Sequence, residues 1–248
     1  MNILDNIDFI IPVYIEHPDR LRNLNIVLRY LNAIGANNVF VNEYYRNEPK
    51  VTFLTTNYLN KDITSEEYFN KMQCGNDIFH SFSRNKIVCL YDVDVLIPKK
   101  DLKESTIKLL ENYDFAYPYN GLFYDIPASK VEELQTNLQA EISVLQCTLL
   151  NPQSVGGCVM FNRDVFIKGG KLNPNFKNVG YDDDEINARY LNLGYFKFRT
   201  SSPLLHLKHY RGSTSYDNNK YTNYNAAEFF KIKNMTAQEI TNYIKTWK

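Results

Sequence analysis

Several absences in this 248-residue sequence narrow what it can be. No apolar run approaches the roughly 20 residues that a membrane-spanning helix requires. Near the N-terminus, Asp8 and Pro12 break the single apolar run and no basic segment precedes it, so no secretory leader is expected. Cysteine is sparse. Cys74, Cys89, Cys147 and Cys158 form neither a Cys-x-x-Cys pair nor a Cys/His zinc spacing, and reduced, buried thiols are expected. Tryptophan occurs once. Neither sign of charge is in excess, with 28 Lys plus Arg against 28 Asp plus Glu. A chain without a basic footprint is not expected to bind nucleic acid. Glycine is missing where a phosphate-cradling loop would need it: the segment after the first apolar run is Tyr14-Ile15-Glu16-His17. The expected setting is the cytoplasm, with any membrane contact peripheral and at the inner face.

What is present is aromatic residues, 19 Tyr and 15 Phe, and an alternation of short apolar runs with helical periodicity. Residues 8–15 read as a buried strand in which Pro12 should end regular pairing. Pro18 suits the first turn of a helix carrying Leu21, Leu24, Leu28 and Leu31 at helical spacing, with Gly35 as its stop. A second strand follows at 38–43, and this strand–helix–strand order opens a doubly wound sheet. A short strand is expected at Val51 to Thr55. Thr64 and Glu67 match a capping box, predicting a helix from there to about Ser81. Residues 86–91 are nearly all apolar, as in a central parallel strand.

Further strands are expected at 114–119, at 155–161 (entered through Gly156-Gly157), at 195–199 and at 204–207. Helices are expected at 128–147 as an insertion over one face, at 164–168, and at 182–193 with Gly194 as a stop. Residues 173–181 form a polar loop. The tail beyond Ser213 is helical twice, with a second capping box at Thr236 and Glu239. The fold class is therefore α/β, a mixed and mostly parallel sheet flanked by helices. Residues 1–212 form its catalytic unit and 213–248 a helical extension of the same domain.

Three clusters carry chemistry. Asp92-Val93-Asp94 closes the central strand, and ligands of open α/β sheets bind beyond the carboxyl ends of their strands. Carboxylates one residue apart on an extended segment project the same way, and a hard divalent cation relieves their repulsion. Asp182-Asp183-Asp184-Glu185 stands at a helix start, where the dipole favours acids, but four exceed what capping needs. One of them is placed to act as a general base. The third cluster is His206-Leu207-Lys208-His209. An imidazole joining Asp94 would favour Mn2+ over Mg2+, but two histidines three apart point oppositely along an extended chain.

In their order these segments resemble the GT-A glycosyltransferases, most closely the beta-1,4-galactosyltransferase type and related bacterial members. The resemblance is carried by Ile10-Ile11-Pro12-Val13-Tyr14 with Arg20, Val41-Asn42-Glu43, Phe69-Asn70-Lys71, Tyr91-Asp92-Val93-Asp94 running to Pro98, Val155-Gly156-Gly157, Gly180-Tyr181 leading into the acids, and His209-Tyr210-Arg211. It spans roughly residues 8 to 212. It implies a metal-dependent, inverting transfer of a hexose (Gal, GalNAc or Glc type) from a UDP-sugar to a hydroxyl of a glycan, glycolipid or glycoprotein, in polysaccharide or glycoconjugate synthesis.

Position by position, the resemblance places Pro12, Tyr14, Arg20, Glu43, Phe69, Lys71, Asp92, Val93, Gly157 and Tyr181 around the nucleotide sugar. Asp94 becomes the direct ligand of Mn2+ or Mg2+, with Asp92 in support and His209 or His206 as a further ligand. Asp182 and Asp183 hold sugar hydroxyls, Asp183 acting as the base. Lys71 stands where the family has Arg, which keeps charge but loses the planar fork. Tyr181 stands near a loop where the family has Trp and additional Gly. A His-Leu-x-His pattern in related bacterial transferases sets His206 against His209. The family's secretory anchor has no counterpart here, which implies a bacterial or viral enzyme. Two other readings are a metal-dependent nucleotidyltransferase, disfavoured by the Gly-free loop at 14–17, and a degenerate sugar-nucleotide-binding protein, disfavoured by the intact acids.

Overall fold

A computed structural model describes residues 2–54, 57–212 and 219–247. Its elements in chain order are β1 (Ile7–Tyr14), α1 (Pro18–Ala33), β2 (Val39–Tyr45), β3 (Tyr58–Asp62), α2 (Lys71–Phe82), β4 (Ile87–Tyr91), β5 (Val95–Leu96), α3 (Lys99–Glu111), β6 (Phe115–Tyr117), β7 (Phe123–Ile126) and α4 (Ala128–Thr136). They continue with β8 (Thr148–Asn151), β9 (Cys158–Asn162), α5 (Arg163–Lys168), α6 (Asp182–Asn192), β10 (Lys197–Arg199), β11 (Leu204–Leu207), α7 (Thr222–Lys233) and α8 (Ala237–Ile244).

A seven-stranded sheet runs β10-β6-β9-β4-β1-β2-β3, and a four-stranded sheet runs β5-β11-β7-β8. In the large sheet β4, β1, β2 and β3 are parallel, and β9 alone opposes its neighbours β4 and β6. The run at 86–91 becomes the middle strand, β4, with every residue buried. Helix α2 packs on β1 and β2, while α3 and α5 pack on β9. Every residue of β4 and all of β1 before Tyr14 is buried, which is why neither strand shows an exposed polar alternation. Among the described residues no helix is long and apolar enough to cross a membrane.

Four local expectations fail for identifiable reasons. Pro12 does not end the pairing of β1, which continues against β2 to Tyr14. Pairing with β4 has already stopped at Ile10, so no partner needs the missing Pro12 N–H. Val51 to Leu54 is not a strand (Thr55 lies outside the described residues). The Val51 amide instead donates to Glu43 at 3.0 Å. The edge strand is β3, whose half-exposed to exposed Tyr-Leu-Asn-Lys-Asp carries no apolar periodicity.

The Thr64–Glu67 box caps nothing. Thr64 accepts from the Asn47 amide at 3.0 Å and Glu67 pairs with Lys220 at 3.0 Å. Helix α2 begins instead at Lys71 with Asn70 as its cap, accepting from Gln73 N at 2.9 Å. The helix expected over 128–147 stops at Thr136, and residues 148–151 form β8. In the tail, α7 packs on α6, and the capping box of Thr236 and Glu239 at α8 is complete.

Candidate active site

Strand β4 delivers Asp92-Val93-Asp94 past the edge of the sheet, and the turn is fixed by backbone bonds. Asp92 N donates to Gly157 O at 2.8 Å, and Leu207 N donates to Asp94 O at 2.7 Å. The second bond ties the end of β11 to this turn. The second turn of α1 grips the same segment: Asn23 donates to Leu207 O at 2.7 Å and Arg22 to Lys208 O at 2.6 Å. Held this way, the chain bends after β11, and both histidines turn toward Asp94. His206 Nε2 lies 3.8 Å from Asp94 Oδ1, and His209 Nε2 lies 3.1 Å from Asp94 Oδ2. Each Nδ1 has a partner facing away from Asp94. His206 Nδ1 is 2.8 Å from Asp125 Oδ1, and His209 Nδ1 is 2.6 Å from Tyr210 O. With a cation bound between them, an Nδ1–H donated to these oxygens would leave each Nε2 free to act as a ligand. Arg20, in the first turn of α1, reaches the same carboxylate, Nη1 to Oδ2 at 2.7 Å. Burial would raise the Asp94 pKa, but Arg20, His206 and His209 outweigh it and hold the group ionised, well below the usual carboxylate range.

The second half of the site is built around Lys71, the first residue of α2. Its Nζ lies 2.9 Å from Asp92 Oδ1, 3.6 Å from Asp182 Oδ2 and 4.0 Å from Asp183 Oδ1. Burial pushes the ammonium pKa down, yet Asp183, Asp92 and Asp182 together carry it well above its usual value. The acids begin α6, whose cap residue Tyr181 is in the left-handed region at φ +62°. That turn lets Asp182 Oδ1 accept from Gly180 N at 2.6 Å. Asp182 Oδ2 is buried and has no hydrogen-bond partner among the described residues. Burial raises the Asp183 pKa well above the carboxylate norm, and Asp182, Asp92 and Asp184 add to this against Lys71. Burial likewise raises Asp92, with Asp94 adding to it and Lys71 opposing.

Gly156 gives Asp183 its room: a Cβ there would stand 2.6 Å from Asp183 Oδ2. Gly157, at φ +86°, faces the other way, where a Cβ would meet Leu204, Phe123 and Val95. Both halves open into one cavity of about 560 Å³, lined by Arg20, Lys71, Asp92, Asp94, Gly156, Gly157, Tyr181, Asp182, Asp183, His206 and His209 among others. A smaller cavity adjoins it, lined by Pro12, Val13, Tyr14, Phe69 and Val93 and sharing Arg20, Lys71, Asp92 and Val179 with the larger one. The Tyr14 and Phe69 rings stack at 5.6 Å between centroids. Tyr181 stacks on Phe229 of α7, also at 5.6 Å.

No family model matches the sequence, and no curated protein does. Solved structures do match. The mannosyltransferase PcManGT from Pyrobaculum calidifontis, in complex with GDP-Man and Mn2+, superposes with a TM-score of 0.52 at 14% identity, over 84% of this chain and 58% of that one. The chain has the GT-A fold. Two structures of Drosophila beta-1,4-galactosyltransferase 7 are also similar. A mutant in complex with manganese, UDP-Gal and xylobiose gives a TM-score of 0.46, and the catalytic domain with xylobiose gives 0.43. Each is 14% identical and aligns over 78% of this chain and 63% of its own. The chain thus spans about three fifths of the length of these neighbours.

On the GT-A scaffold the predicted residues separate into groups. Asp94, His206 and His209 present ligand atoms that all lie within 4.8 Å of one another. One carboxylate oxygen and two imidazole nitrogens, with both rings oriented from behind, fit a divalent transition-metal cation such as Mn2+. Asp92, whose Oδ1 pairs with Lys71 Nζ at 2.9 Å, lines both cavities. Glu43 lines neither cavity. Its carboxylate accepts from Lys50 N at 2.8 Å, Val51 N at 3.0 Å and the Tyr58 hydroxyl at 2.6 Å, so it organises the loop that follows β2. Sequence reasoning missed Asp125 and the role of Gly156. Asp125 carries no motif; its signal is register, since β7 pairs with β11 so that Asp125 faces His206.

Proposed function

We propose that this chain is a metal-dependent glycosyltransferase that moves a hexose from a UDP-sugar to a hydroxyl of a glycan, glycolipid or glycoprotein acceptor, with inversion. The supporting observation is the two-sided site. One wall carries Asp94, His206 and His209, the other carries Asp182 and Asp183, and Lys71 stands behind the acids. In this reading Asp94, His206 and His209 hold Mn2+, which when bound neutralises charge on the diphosphate leaving group. Pro12, Tyr14, Phe69 and Val93 surround the nucleobase in the smaller cavity, with the stacked rings as its platform. Asp182, on the wall of the larger cavity, accepts from a donor-sugar hydroxyl.

Asp183 takes the proton of the attacking acceptor hydroxyl as that oxygen bonds to the anomeric carbon, and UDP departs from the opposite face. A single displacement of this kind inverts the configuration. The raised Asp183 pKa makes it a stronger proton acceptor than an ordinary carboxylate, and activity falls as pH drops through that pKa. Residues 1–212 act as the catalytic unit, and the helical extension supports Tyr181 through Phe229.

The test is thermal denaturation with UDP-, GDP- and CMP-sugars, each with and without Mn2+. GDP-mannose belongs in the panel because PcManGT was solved with GDP-Man. A rise in Tm with a UDP-sugar that requires metal supports the reading. A GDP-sugar response would reassign the donor, and silence toward every nucleotide would leave a scaffold.

A further inference from the structure

Arg20 forms a direct ion pair with Asp94 inside the candidate metal-ligand group. Its Nη1 sits 2.7 Å from Asp94 Oδ2, the oxygen that also lies 3.1 Å from His209 Nε2. Asp94 is nearly fully buried, with 6% of its side chain exposed, whereas Arg20 keeps 27%. Arg20 lines both the large cavity and the small one, so its side chain stands between the metal-ligand group and the aromatic platform. The surrounding backbone is fixed. Asn23 and Arg22 hold the 207–208 segment, and Asp19 accepts from Tyr210 N at 2.9 Å. A change of partner at Arg20 therefore needs only a side-chain rotation.

We infer that Arg20 is an exchangeable counter-ion that couples the metal to the donor: it holds Asp94 in the metal-free protein and moves to the donor's diphosphate when a divalent cation takes Asp94. The inference rests on the glycosyltransferase reading and adds a device to it. A dication and a guanidinium beside one buried carboxylate repel each other, so Arg20 opposes metal binding while it lacks another anion. A diphosphate offers that anion, and a guanidinium matches phosphate oxygens with two parallel donors. Diphosphate thus frees Asp94 and metal frees Arg20, and by linkage each tightens the other.

The experiment titrates MnCl2 into metal-free protein with and without UDP, following free Mn2+ by electron paramagnetic resonance. The proteins are wild type, Arg20→Met and Arg20→Lys, with circular dichroism melts to confirm folding. Without UDP, Arg20→Met is expected to bind Mn2+ at least ~5-fold more tightly than wild type. UDP should then tighten Mn2+ binding by a smaller factor in Arg20→Met than in wild type. Arg20→Lys keeps the charge and should stay near wild type without UDP. Unchanged or weaker Mn2+ binding by Arg20→Met without UDP overturns the exchange while leaving the metal site standing. If that variant does not fold, wild-type affinity for Mn2+ that is indifferent to UDP overturns it equally. Absence of Mn2+ binding in every protein and condition removes the metal site and the exchange together.

Discussion

Replacing Lys71 by Met gives the sharpest energetic test of the acid cluster. Lys71 is 9% exposed and is the nearest cation to Asp92, Asp182 and Asp183, at 2.9, 3.6 and 4.0 Å. Methionine retains most of the packing and removes the charge, so the acids are left beside one another. Deleting one partner of a buried ion pair costs about 3–5 kcal/mol. Asp92 and Asp183 keep roughly a quarter of their side chains exposed, which puts the expectation at the low end, ~3 kcal/mol. For a chain of this size that is a loss of roughly 6–12 °C in Tm.

The pH dependence separates this mechanism from a packing defect. Lys71 has a native pKa raised above 10.5, so its stabilisation is complete below that value and constant from pH 5 to 8. Without it, the native pKa values of Asp92 and Asp183, already raised, rise further. The native state then binds more protons than the unfolded chain, and the variant loses stability as pH increases. Melts of both proteins in EDTA at pH 5, 6, 7 and 8 should show a gap that widens upward. A loss under about 1 kcal/mol, or a gap independent of pH, refutes the reasoning.

Three further outcomes follow from the site. Asp183→Asn should keep Mn2+ and UDP binding while transfer falls ~10²–10⁴-fold. It should also melt higher than wild type at pH 8, with the gain fading toward pH 4, because the ionised Asp183 is disfavoured in the native state. Asp125→Ala removes the acceptor behind His206 and should weaken Mn2+ binding ~10–100-fold by calorimetry, and an unchanged affinity would show the ring is oriented by other contacts. Gly156→Ala places a Cβ 2.6 Å from Asp183 Oδ2, so transfer should drop ~10–100-fold with Mn2+ affinity intact, and loss of Mn2+ binding would mean the substitution disturbs β9 more widely.

The elements that position chemistry are those with strong local signals. The apolar run at 86–91 had to be a central strand, and its acidic end had to lie at the carboxyl edge of the sheet. The acid run opening α6, Pro18 opening α1 and Gly194 closing α6 were readable for similar reasons. Edge elements were not. Strand β3 is largely exposed, so no periodicity marks it, and β5 has only two residues. Thr64-x-x-Glu67 has the composition of a capping box, but Asn70 and the Pro174 carbonyl it bonds at 2.8 Å set the helix start. At the site, one histidine seemed to exclude the other because strand geometry points them apart. The bend after β11, imposed by Leu207 N on Asp94 O, brings both inward. The resemblance placed Glu43 at the nucleotide sugar, but its partners are Lys50 and Val51 in the loop that follows β2 and Tyr58 at the start of β3.

The central claim is that Asp94, His206 and His209 hold a divalent metal at the donor's diphosphate. The most direct measurement is anomalous diffraction at the manganese edge from crystals soaked with MnCl2 and UDP. One peak in coordinating contact with all three side chains and with the UDP phosphates is expected. A peak among Asp92, Asp182 and Asp183 instead, or UDP bound with no peak at all, contradicts it.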